Sequence, residues 1–89
     1  MNKAILSGEL VAHVGDFKGE GELDVHQATL RTFEPFLDGQ GHEEFHALVF
    51  FGEDARRVRE LPLGTRLLVQ ASIRWAPAQC LHVHGLEVL

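Results

Sequence analysis

With 89 residues the chain has material for one hydrophobic core and none for a second, so a single domain over residues 1–89 is expected. Its 45% hydrophobic and 24% charged content excludes wholesale disorder, and no apolar run approaches the roughly 20 residues of a membrane-spanning helix. The net charge of −5, with Lys3 and Lys18 the only lysines, weighs against a protein that coats nucleic acid by charge alone. A local basic groove is still compatible with an acidic remainder.

Lys3 is followed by no uninterrupted apolar stretch, so no secretory signal is expected. Cys80 is the sole cysteine, which excludes an intrachain disulfide and points to the reducing cytoplasm.

Residues 3–14 alternate, with Ala4, Leu6, Leu10, Ala12 and Val14 on one face and Lys3, Ser7, Glu9 and His13 on the other. This pattern predicts a long half-buried strand. Gly15, Gly19 and Gly21 mark a turn over residues 15–21. Residues 23–33 read as a second strand whose inward face the pattern leaves open. Pro35, Gly39 and Gly41 mark a loop over residues 34–42, and a third strand follows at 43–51.

Residues 53–61 predict a helix of two turns. Glu53 and Asp54 open it, Arg56, Arg57 and Arg59 follow, and Ala55, Val58 and Leu61 form one apolar stripe. Pro62 and Gly64 stop it. Residues 65–75 alternate cleanly. Leu67, Val69, Ala71, Ile73 and Trp75 face one way, and Arg66, Gln70, Ser72 and Arg74 the other. A short connection at 76–79 leads to a last strand at 80–89. Three strands, a helix and two strands predict an all-β five-stranded Greek-key barrel of the OB type, with its helix between strands three and four.

Two motifs carry a resemblance. The opening Met1-Asn2-Lys3-Ala4-Ile5-Leu6-Ser7-Gly8 is similar to the first strand of the bacterial single-stranded DNA-binding proteins. Glu44-Phe45-His46-Ala47-Leu48-Val49-Phe50-Phe51-Gly52 resembles their third strand, which likewise runs into the helix. The resemblance covers nearly the whole chain in order. It implies an OB fold, binding to single-stranded DNA in replication, replication restart or repair, and no enzymatic activity.

Three features depart from that family. The connection at 76–79 is short where the family has a long basic arm. Ala47 stands where an arginine is usual. The sequence stops at Leu89, directly after strand five, without the family's acidic tail. A tailless member of this group, of the kind of primosomal replication protein N, is equally similar.

By the resemblance, Phe45 and Phe51 take the places of base-stacking aromatics, and Phe33 and Phe36 flank a loop that holds another. Trp75, at a strand end, is either a platform for bases or a lid on the core. Of the adjacent Phe50 and Phe51, at least one belongs to the core. Arg31, Arg66 and Arg74 are the strand-borne cations suited to phosphates, and Arg66 and Arg74 share a face. These residues place single-stranded DNA across strands three and four. Cys80, His82 and His84 alternate on the last strand, but no second cluster completes a metal shell. No metal or other cofactor is expected. There is no nucleophile elbow and no phosphate-cradling loop before a helix.

The long first strand offers an edge to another copy, so a homodimer or homotetramer is expected, with replication or repair proteins as further partners and no membrane association. Two functional readings stay open: a single-strand-binding module, and an OB assembly subunit with weak or lost DNA binding.

Overall fold

The computed structural model describes residues 2–35, 41–75 and 79–89, with backbone only at 34 and 35. Five strands and one helix follow in the expected order: β1 (Ala4–Lys18), β2 (Asp24–Pro35), β3 (Gly41–Phe51), α1 (Glu53–Arg59), β4 (Arg66–Arg74) and β5 (Cys80–Val88). A single 3-10 turn, Glu20–Glu22, joins β1 to β2. The strands close into a barrel in the order β1-β2-β3-β5-β4, with β4 returning to β1. Among the described residues every pairing is antiparallel except β3 with β5, which run parallel and meet at Leu48↔Leu81 and Val49↔His82. No helix of the described residues is long and apolar enough to cross a membrane.

The core fills the barrel from alternate positions, with Leu10, Leu30, Leu48, Phe50, Leu67 and Val69 all buried. Phe50 is thus the core member of the aromatic pair, and Phe51 faces outward. In β2 the even residues point in, which resolves the face that the sequence pattern leaves open. Gly52 ends β3 with φ +62 and ψ −129, a backbone that an L side chain resists, and so turns the chain into α1. Ala55 and Val58 then plug one end of the barrel. The helix proper stops at Arg59, short of the predicted residue 61, although Leu61 still bonds back to Val58 and packs on the core.

The first strand departs from expectation. It runs to Lys18, so most of the predicted turn is strand, and two bulges break its pairing with β2, between Leu10 and Ala12 and between His13 and Gly15. Each bulge inserts one residue and exchanges the two faces. Val14, expected inside, falls at the second bulge and is 61% exposed, while His13 turns to the inner side between the two; beyond the second bulge the original faces return and set Asp16 and Lys18 inward at the helix-capped end. Asp24 gathers three cations there: Lys18 at 2.7 Å, Arg56 at 2.8 Å and Arg59 at 3.7 Å. Hydrogen bonds from Lys18 and Arg56, reinforced by the charges of Lys18 and Arg59, hold its carboxyl pKa down at about 2. His26, the one buried polar residue among those described, hydrogen-bonds both His13 and Asp16.

Candidate nucleic-acid interface

Outward-facing residues of four strands line up in one row. Phe45 of β3 lies opposite Arg31 of β2, Arg31 opposite Glu9 of β1, and Glu9 opposite Arg66 of β4. Neighbouring strands lie about 4.8 Å apart, so the row spans roughly 14 Å. Phe33 stands two residues from Arg31 on the same face, and Phe33 and Phe45 are 58% and 60% exposed. Aromatic faces this open are available for stacking on bases.

Arg31 is not a free cation. One guanidinium nitrogen donates to Glu9 at 2.7 Å and the other to Glu43 at 3.3 Å. The Glu9 hydrogen bond and charge, with Glu43 adding to both, raise the Arg31 pKa and hold the guanidinium protonated. Among the described residues no carboxylate is paired with Arg66 or Arg74. Ser7, Gly8, Glu9, Arg31, Phe33 and Arg66 surround a depression of about 410 Å³. A Cβ on Gly8 would come within 2.4 Å of the Arg31 carbonyl oxygen, so only glycine lets β1 cross β2 this closely.

Below their two paired positions β3 and β5 part. Between them opens a cleft of about 530 Å³, walled by Phe45, His46 and Ala47 on one side and Gln79, Cys80 and Leu81 on the other. It shares Ala47, Gln79 and Cys80 with a smaller, more apolar hollow of about 270 Å³ that Val14 and Val49 also line. A trough therefore runs from the aromatic row along the outer face of β3.

The predicted residues fall into two groups. Phe51, half-buried, presents its ring to His82 at a centroid distance of 5.1 Å and an angle of 65°, so one edge is already occupied. It lies six residues from Phe45 on the same strand face, about 20 Å away. Arg66 and Arg74 stand eight residues apart, about 27 Å, near opposite ends of β4. β3 and β4 are not neighbours, because β5 lies between them on one side and β1 with β2 on the other. The expected track across strands three and four therefore has to pass over β5 or over β1 and β2. Phe33, Phe45, Arg31 and Arg66 form one group, and Phe51, His82 and Arg74 the other. Burial, then the charges of Arg74 and His84, lower the His82 pKa, so this ring is neutral at pH 7. Trp75, 69% exposed, lies just beyond β4. Phe36 and the connection at 76–78 lie outside the described residues.

Sequence reading missed the carboxylates of Glu9 and Glu43, because their meeting with Arg31 depends on strand register across three strands. It also missed the cleft residues Gln79 and Cys80. Among the described residues no cluster of three or more His, Cys, Asp or Glu side chains has metal-binding geometry. His84 sits at the irregularity between Gly85 and Val83, bonded to Ser72.

A closed five-stranded barrel with its helix between the third and fourth strands is an OB fold, here carrying an outward row of aromatic and basic side chains. No family model matches the chain, and no curated protein sequence does. Solved structures do match. PriB from Ralstonia solanacearum superposes with a TM-score of 0.87 at 18% identity, covering 100% of this chain and 99% of that one. The N-terminal domain of PriB from Thermoanaerobacter tencongensis, described as dimeric, gives 0.77 at 14% identity over 99% and 96%. A deletion mutant of the single-stranded DNA-binding protein from Thermus aquaticus gives 0.74 at 17% identity, and all of this chain covers half of that one. At these identities the likeness is one of fold. The expected five-stranded OB barrel is borne out at that level.

Proposed function

We propose that the protein is a single-stranded DNA-binding module acting in replication, replication restart or repair. The row from Phe45 through Arg31 and Glu9 to Arg66, opening into the cleft beside β3, is the observation that supports this reading. Phe33 and Phe45 stack on bases and Arg66 takes a phosphate at one end. Phe51, Trp75 and Arg74 extend the track at the other. Arg31 contributes to the extent that DNA competes with its two carboxylates.

Retention of a fluorescent oligo(dT) across a salt series tests the proposal. Each phosphate neutralised on a single strand contributes about −0.7 to the slope of log K against log salt. Two free arginines give a shallow slope of about −1.4, and Arg74→Ala brings it to about −0.7. No retention at ~20 mM salt, where screening is weak, sinks the reading.

One observation favours a second reading. Capture of Arg31 by Glu9 and Glu43, on a chain of net charge −5, suits an OB assembly subunit that meets protein partners of a replication or repair complex. Both readings include a homodimer or larger. Residues 4–8 of β1 pair with β4 alone among the described strands and leave their other edge for a second copy. A 9.9 kDa species in sedimentation at micromolar concentration removes that element.

A further inference from the structure

The bulges of β1 bring His13 against His26 in a hydrogen-bonded chain that the proposed interface does not use. Its links are Leu61 O to His13 Nε2 at 2.9 Å, His13 Nδ1 to His26 Nε2 at 2.8 Å, and His26 Nδ1 to Asp16 Oδ1 at 2.8 Å. His26 is 2% exposed, His13 lies at the rim, and the rings tilt by 54° with centroids 5.0 Å apart. Both ends of the chain are acceptors: a backbone carbonyl and a carboxylate. His13 Nε2 and His26 Nδ1 must therefore each carry a proton. The middle link needs one proton more, on either of the two facing nitrogens. Two neutral imidazoles carry two N–H groups between them, and this chain requires three.

We infer that His13 and His26 together hold one excess proton in the folded protein and form a pH-sensitive clamp joining β1, β2 and the chain just after α1. Without that proton, the facing nitrogens meet lone pair to lone pair. With a second, two N–H groups meet head on. The middle bond is lost in either case.

The charged groups around the pair suit a single positive charge. Asp16 of β1 accepts from His26, Arg59 of α1 stands 3.7 Å from the same Asp16 oxygen, and Asp24 of β2 faces Arg59, Arg56 and Lys18. The acidic and basic partners therefore alternate around the site and leave the pair's charge opposite a carboxylate.

The sign of the pH dependence follows from proton counting. In the unfolded chain two independent imidazoles near 6.5 carry two protons in acid, none in alkali and one at about pH 6.5. The folded pair carries one. Below about pH 6.5 the unfolded chain binds more, so stability rises with pH; above it the folded chain binds more, so stability falls. The pair's contribution peaks at about pH 6.5.

Two measurements test this. Long-range 1H–15N spectra of the wild-type protein at pH 6.5 are expected to show three protonated ring nitrogens among the four of His13 and His26. Two neutral rings at that pH overturn the inference. Denaturant unfolding of wild type and a His13→Gln, His26→Gln double variant from pH 5 to 8 provides the second. The ratio of their folding constants, wild type over variant, is expected to rise towards ten-fold per pH unit at the acid end and to fall above about pH 6.5, because the folded pair keeps one proton while the two unfolded imidazoles go from two to none. A ratio that does not fall above pH 6.5 overturns it, because two neutral rings give that profile. The spectra need no variant, so a double variant that does not fold leaves the inference testable.

Discussion

Arg31 shows how a residue type can be right for a task and its neighbours wrong. On strand β2, opposite Phe45, it stands where a cation would meet a phosphate next to a stacked base, yet Glu9 and Glu43 hold it from both sides. Glu43→Gln should release one side and remove a like charge from the path of the DNA. Exposed ion pairs contribute about 0.2–1 kcal/mol, so oligo(dT) affinity should rise about 1.4- to five-fold at low salt. Phe45→Ala should lower it by about 1–3 kcal/mol if one base stacks there. Fluorescence anisotropy titrations of both variants check the pair of expectations. An unchanged affinity for Phe45→Ala would move the stacking platform to Phe33 or the other end of the track.

At the scale of elements, what was legible followed a period of two. β4 reads as expected because every inward position from Leu67 to Ile73 is apolar and no bulge interrupts its pairing with β1. The helix was legible from Ala55 and Val58 and from the glycine that starts it. β1 was half legible. Nothing at Val11 or Val14 marks a bulge, so alternation assigns the wrong face between Leu10 and Gly15, and the His13–His26 chain stays hidden. The carboxylates that hold Arg31 were hidden for a related reason, since they come from residues 22 and 12 positions away in the sequence. The crossing of β1 and β2 makes its own prediction. Gly8→Ala drives a methyl group into the Arg31 carbonyl, and overpacking of this kind costs about 1–3 kcal/mol in urea unfolding. Because the same strands carry Glu9 and Arg31, DNA affinity should fall with it.

At the scale of the whole molecule, the cations around Asp24 add a contribution to stability that acid removes. Its folded pKa of about 2 lies below the ordinary 3.8, so the stability it contributes is present above about pH 4 and is lost as pH falls towards 2. Asp24→Asn should flatten the acid limb of the stability profile between pH 4 and 2 in circular dichroism, while His13→Gln acts nearer pH 6. The two limbs thus separate by residue. The barrel also has an uneven circumference. β1 with β2 and β2 with β3 are long ladders, whereas among the described residues β3 meets β5 at two residue pairs. That join brings residue 48 to residue 81, across the helix and β4, and loop closure over such a separation is slow. The β1–β3 meander should therefore assemble early, and sealing of the barrel should be the late step in folding. In the native state the same place should breathe first, so the amides where β3 meets β5 should exchange with solvent ahead of those in the β2–β3 ladder.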